Sequence, residues 1–288
     1  MQNLRGIALM VAAMAVFTIA DICIKQVAGE IPIGQIMFTS GLGGVVIFGV
    51  ALKLKGIPLF APDLFSPVIM SRNIGEVFGS FGIMYALTLI PLSSVASIMQ
   101  AAPLVVTMGA ALFLREKVGW RRWSAILTGF AGVLLVVRPG FDGFQPAALI
   151  AVIGVAGQAL RDLSTRVASN RIPSLRIGFY GLLALSLLGL ALMIVGTAPV
   201  MPSGNAAIWL VIFIFVGTLG YHMLNLALQN GDVAAIIPYR YSRILFGITA
   251  GVLIFDESVD HFTLIGAAII VGSGLFVFKR ERKRRNPA

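Results

Sequence analysis

The sequence predicts an all-α integral membrane protein, in which ten transmembrane helices form two inverted five-helix repeats around a central cavity. Three observations carry this. Of 288 residues, 58% are hydrophobic and 12% charged, and the apolar runs outlast what a soluble core helix needs. Sixteen of the 22 lysines and arginines lie in alternate short loops and the tail, the asymmetry that orients membrane helices. Finally, the chain aligns with itself at an offset of 141 residues.

The spans follow in order. The first, 4–24, opens behind Arg5 and stays apolar to Cys23, past the "AMA" at 13–15 where a signal peptide would be cut, and so reads as a helix that is kept. The second, 33–52, runs from Pro32 to Lys53, and the third, 67–90, from Pro67 to Pro91. The fourth, 93–114, ends at Arg115, and the short fifth, 123–138, at Arg138. The second set is 147–168, 174–196, 207–230, 234–255 and 261–279, bounded by Pro146, Pro173, Pro202, Asp256 and the basic run "KRERKRR".

Ten is even, so both termini share a side. With that side cytoplasmic, the inner segments hold sixteen basic residues and the outer ones only Lys25 and Arg138, while Asp256, Glu257 and Asp260 crowd the last outer loop. The expectation is a multi-pass protein of the cell inner membrane with cytoplasmic termini and a basic tail beside anionic lipid. The net charge of +10 is accounted for by these loops, so no nucleic-acid partner is expected. A single cysteine excludes an intrachain disulfide. Two histidines (His222, His261), one cysteine and no nucleotide-binding loop argue against an enzyme, a metal site or a cofactor. A channel stays open as an alternative.

At the 141-residue offset Asp21 meets Asp162, Ile31-Pro32 meets Ile172-Pro173, Phe38 meets Phe179, Pro58 meets Pro199, and Glu116 meets Glu257. The repeats are thus 1–141 and 142–288, the second with the basic tail. Five spans per repeat is odd, which turns the second copy upside down, the architecture of many secondary transporters. Pro103 and Pro238 are candidate bend points. They align with Ile244 and Ser97, so the sequence transfers no break point between copies.

Polar residues shared by both copies read as scaffold. Asp21 and Lys25, like Asp162 and Arg166, have the i,i+4 spacing of a helix ion pair, and Glu116 and Glu257 are expected to orient their hairpins. Polar residues without a twin read as site: Arg72, Glu76, Arg161, His222, Asn225, Arg240 and Arg243 align with Phe213, Gly217, Ala20, Phe81, Met84, Met99 and Ala102. Arg243 lies about 14 Å and Arg240 about 9 Å from the cytoplasmic end of its span at 1.5 Å per residue. A guanidinium at such depth faces protein or water. Arg72 and Arg161 are near enough to the inner surface to snorkel. The scaffold reading pairs the span-nine arginines with Glu76 or Asp162. The functional reading counts four arginines against three acids, with Asp21 occupied by Lys25, and leaves positive charge for a substrate carboxylate. Tyr239, Tyr85, Phe78, Phe81, Tyr221 and Tyr241 would receive a flat side chain. "GEVFG" (75–79) and "GITAG" (247–251) permit close helix contact in spans three and nine.

Each copy has an apolar helix running into "ALFLREKVGWRRWSAILTGFAGVLLV" (110–136) or "GVLIFDESVDHFTLIGAAIIVGSGLFVF" (251–278): a Glu at a helix end, a short polar loop and a Gly-rich closing helix. This pattern resembles the paired domains of the EamA-type drug/metabolite transporter superfamily over essentially the whole chain. The resemblance implies a ten-helix inner-membrane carrier that exports amino acids or other small metabolites. With the residues above, the expected substrate is a small amphiphile such as an aromatic amino acid, moved outward. Cationic drugs and nucleotide-type metabolites are the alternatives within that superfamily.

Overall fold

The computed structural model describes residues 2–113, 115, 119–141, 144–168, 172–229 and 236–285, and all their side chains but those at 2, 3, 166, 225, 228, 229, 237 and 280–285. Among the described residues every regular element is a helix. The first repeat holds α1 (Gln2–Val27), α2 (Ile33–Leu54), a 3-10 turn (Pro62–Phe65), α3 (Pro67–Leu89), α4 (Leu92–Met99), α5 (Ala102–Phe113) and α6 (Trp120–Val137). The second holds α7 (Ala147–Ala168), α8 (Ser174–Val195), α9 (Gly204–Gln229), a 3-10 turn (Ile237–Tyr241), α10 (Ser242–Phe255) and α11 (His261–Arg285).

Among the described residues, eight stretches are long and apolar enough to cross a membrane: α1, α2, α4 with α5, α6, α7, α8, α9 and α11. The remaining two expected spans are α3 and the segment from the second 3-10 turn through α10. In α3 the charges of Arg72 and Glu76 dilute the apolar character, whereas α10 is apolar but only 14 residues long, because the 3-10 turn interrupts its span.

Local sequence sets the ends. Pro32, Pro91 and Pro173 each stand just before a helix, where a fixed φ and a missing N–H cost nothing. Ser66 caps α3 by accepting from the Ile69 amide at 3.3 Å. Arg115 and Asp256, equivalent in the two repeats, both take left-handed φ, at 54° and 50°.

The break points coincide between copies, although the prolines do not. Gln100 and Ala101 bond back three residues to Ser97 and Ile98 (3.2 and 3.0 Å), interrupting span four. The 3-10 turn of span nine ends at Tyr241, the counterpart of Gln100. Pro103 lies just after one discontinuity and Pro238 in the first positions of the other. Each withholds a backbone donor near the same repeat position, and the discontinuity results from either side.

Packing is between repeats. α1 packs on α9 and α3 on α7, which are equivalent pairs, while α2 packs on α8, α6 on α11 and α4 on α10. Exchanging the repeats leaves this scheme unchanged, as a two-fold relation demands. The α3–α7 contact is backbone to backbone: a Cβ at Gly75 would lie 2.5 Å from the Arg161 amide nitrogen, and one at Gly82 2.6 Å from the Gly154 Cα. Gly247 likewise meets Ala96 of α4, as the two glycine pairs led one to expect.

Cross-repeat tethers hold the α2–α8 pair at both ends. Gln35 exchanges two hydrogen bonds with the Val200 backbone, at 2.8 and 2.9 Å. Its counterpart Arg176 donates to Asp63 at 2.5 Å, and Asp63 also accepts from the Tyr180 hydroxyl at 3.0 Å.

Candidate functional site

A five-charge network joins the two repeats. Arg72, Glu76 and Ser80 lie one turn apart on α3. Arg72 donates to Glu76 at 2.5 Å, and Ser80 donates to the same carboxylate at 3.1 Å. Across the glycine contact, α7 presents Arg161, whose Nη1 is 3.4 Å from Glu76 and whose Nε is 2.9 Å from Asp162. Asp162 also faces Arg240 at 3.6 Å, an ion pair beyond hydrogen-bond length. The network holds three arginines and two carboxylates and keeps one positive charge in excess. Arg72 is 1% exposed, so it does not snorkel to the surface as its position allowed. Its guanidinium fills the space left by Gly181 of α8.

Arg243, three residues beyond Arg240, reaches α1. Its Nη2 donates to both oxygens of Asp21, at 2.9 and 2.8 Å, and the guanidinium lies over the Phe17 ring, 5.3 Å from its centroid. This corrects the expected partnership of Asp21. The i,i+4 spacing offers it Lys25, but a guanidinium nitrogen from another helix contacts both of its oxygens instead. Arg243 accordingly pairs with neither Glu76 nor Asp162, whereas Arg240 does pair with Asp162.

Lys25 goes instead to Glu257 at 2.5 Å. Glu257 also accepts from the amides of Leu92 and Ser93 (2.7 and 3.0 Å) and from the Ser93 hydroxyl (2.8 Å). It therefore orients more than its own hairpin: a carboxylate of the second repeat caps α4 of the first, where free amides and the helix dipole favour negative charge. Glu116, its twin, lies outside the described residues.

The other expected site residues do not all converge. On α3, Tyr85 continues the stripe Met70, Ile74, Phe78 and Phe81, opposite the Arg72–Glu76–Ser80 stripe. Phe78 is 55% exposed, and Tyr85 stacks on Phe81 at 5.5 Å. Four- and three-residue steps fix that separation. His222 continues the uncovered stripe Ile208, Val211, Phe215 and Leu219 of α9, away from the packed face that carries Leu210 and Gly220. The exposed part of each stripe, Met70, Ile74 and Phe78 on α3 and Ile208 to His222 on α9, suits acyl chains, while Phe81 packs on the buried core. Tyr241 is buried, filling the space beside Gly274 of α11. Tyr239 is 42% exposed beside Arg240. The side chains of Asn225, Gln229 and Arg166 lie outside the described residues. Sequence reasoning missed Phe17, Ser80 and Gly181. Ser80 had a readable signal, one turn beyond Glu76 on the same stripe. Tyr221 stands within electrostatic range of Arg161 and packs edge-on against Phe48 at 5.8 Å.

The EamA-like transporter family matches the chain twice, at residues 4–138 and 145–279, and the chain belongs to that family. It is a multi-pass membrane transporter of small metabolites and not an enzyme. It is 27% identical over 215 residues to the S-adenosylmethionine uptake transporter of Rickettsia conorii, covering 75% of this chain and 72% of that one. It is 28% identical over 225 residues to the riboflavin transporter of Rhizobium johnstonii (76% and 72% covered). With the pseudopaline exporter CntI of Pseudomonas aeruginosa it shares 25% over 275 residues (92% and 93%). One crystal structure matches over 100% of this chain and 99% of its own, with a TM-score of 0.63 at 20% identity, a likeness of fold.

Proposed function

We propose that this protein is a secondary carrier of the inner membrane with cytoplasmic termini. It moves small amphiphilic metabolites, amino acids with a flat aromatic side chain foremost, outward by alternating access between its two inverted repeats. The observation that carries the reading is the inter-repeat arginine cluster with its one excess positive charge. A carboxylate supplied by substrate neutralises that charge, which is the natural use of a guanidinium at bilayer depth. Arg240, which faces Asp162 only at 3.6 Å, brings the spare charge to span nine, and Arg243 one turn on can exchange Asp21 for the substrate carboxylate, since its Nη2 already contacts both oxygens of such a group. Phe17, Tyr221 and Tyr239 flank the charges with aromatic surface. Arg72, Glu76, Arg161 and Arg240 set the local field.

The helix arrangement supports a cycle open at one end. α4 packs on α10 at the end that carries Glu257, whereas α5 leans on α7 and α6. With the orientation read from the basic loops, the α4–α10 contact closes the outer end between spans four and nine. A second reading is favoured by the relatives: S-adenosylmethionine joins an amino-acid head to a flat purine, so a nucleoside-bearing amino acid also fits.

The test is transport in proteoliposomes, inward and outward, of radiolabelled phenylalanine, tryptophan, S-adenosylmethionine and riboflavin, by wild type and Arg243→Ala. Saturable movement of an amino-acid solute that Arg243→Ala abolishes while remaining monodisperse supports the reading. Wild-type rates in Arg243→Ala would move the site away from span nine, and movement of riboflavin alone would remove the carboxylate from the account.

A further inference from the structure

Asp21 and Lys25 stand one turn apart on α1, yet each is held by a different partner from the second repeat. Arg243 takes Asp21 by two hydrogen bonds. Glu257 takes Lys25 at 2.5 Å, and Lys25 also donates to the Ile90 carbonyl at 3.3 Å and lies over the Phe255 ring. Glu257 is 8% exposed and spends its remaining lone pairs on the first turn of α4. Its carboxylate lies over Gly251, where a Cβ would come within 2.5 Å of Oε2. α1, α4 and the turn before α11 therefore meet at one carboxylate, and the path between the repeats at this end cannot widen while that carboxylate keeps all its donors.

Building on the carrier reading above, we propose that Lys25–Glu257 is the latch of this end, and that Asp21, freed when a substrate carboxylate takes Arg243, opens it by competing for Lys25. The i,i+4 spacing supplies the competing pair without any movement of the α1 backbone. Loss of Lys25 takes from Glu257 the cation that ties it to α1, leaving its carboxylate bonded to Leu92 and Ser93 of α4. Occupancy of the site is thereby converted into release at one end. Two alternative ion pairings of one helix supply the two discrete states that coupling between sites needs.

The test needs no substrate. In a Cys23→Ser background, Ser97→Cys places a reporter thiol one turn below Ser93, at a position now fully buried. A membrane-impermeant maleimide is applied to intact cells, and protein is checked for monodispersity. Glu257→Gln should raise the labelling rate about tenfold, as a latch worth roughly one charge-assisted hydrogen bond would. Arg243→Ala, which frees Asp21 without ligand, should raise it similarly, and adding Asp21→Asn should return it towards wild type. A structural lesion would instead leave the double variant as open as Arg243→Ala or more so. Unchanged labelling in Glu257→Gln overturns the latch, and an unrescued double variant overturns its release by Asp21. Neither result bears on whether phenylalanine or another solute is carried, which the transport assay decides separately.

Discussion

A side chain at Gly181 would occupy the space filled by the Arg72 guanidinium, its Cβ falling 1.7 Å from Nη1. A helix of the second repeat is hollowed at one residue to admit a charge from the first. Gly181→Ala must push that guanidinium off Glu76, at an overpacking cost of about 1–3 kcal/mol. The expected readout is a lower thermal midpoint in detergent. Arg72→Ala in the same background removes the obstructing group, so the double variant should lose less than the sum of the single losses. Strict additivity would show that the two positions do not share the space.

Glu76 serves two arginines and Arg161 serves two acids, but the two roles are unequal. Glu76→Gln leaves Arg72 buried with no carboxylate of its own, and breaking a buried pair costs about 3–5 kcal/mol. Arg161→Ala should cost distinctly less, because Arg72 still serves Glu76 and Arg240 still faces Asp162. Equal thermal losses would contradict the branching of the network.

Phe17 lies beneath the Arg243 guanidinium and contributes through its π face. Phe17→Leu keeps an apolar side chain and removes the ring, with an expected loss of about 0.5–2 kcal/mol. A double-mutant cycle with Arg243→Met measures the coupling directly. A coupling near zero would reduce Phe17 to filler.

Asp260 caps α11 through the Thr263 amide and hydroxyl, at 3.0 and 2.9 Å, and pairs with Arg138. Partial burial pushes its carboxyl up, but the hydrogen bonds from Arg138 and Thr263 outweigh this and hold it at about 2, below the ordinary 3.8. A carboxyl lowered by folding stabilises the fold above its unfolded value and loses that contribution as pH falls through the folded value. Wild type should therefore lose stability between about pH 4 and pH 2, and Asp260→Asn should be less stable at neutral pH with a flatter acid limb. Acid unfolding followed by circular dichroism distinguishes the two. Coincident curves would show that the cap contributes nothing.

Helix boundaries were legible because solvent change is abrupt at a membrane surface: span three was expected at 67–90 and is α3, Pro67–Leu89, and span six, 147–168, is α7. Most of the cluster was legible too, since Arg72, Glu76, Arg161 and Arg240 break apolar helices, whereas Asp162, shared with Asp21 by the two copies, read as scaffold and joins the network. Who pairs with whom was not. Spacing along one helix offers Asp21 only Lys25, and the partner that wins comes from 222 residues away. Rotation about a helix axis was half legible. The spacing of Tyr85 and His222 sets their stripes, but only the packing of α3 on α7 and of α9 on α1 reveals which stripe is turned away.

The tethers at Gln35 and Arg176 start in one copy and finish in the other. A polypeptide of half this length would have folded with its anchoring groups empty and its widest apolar faces bare, and would have lasted only by associating with a second molecule of itself. Here one chain supplies both sides of each contact. Within one chain the two copies need not be the same: Gln35 grips a peptide backbone while its twin holds an acid, and four of the five network positions differ between copies while Asp162 keeps its counterpart Asp21.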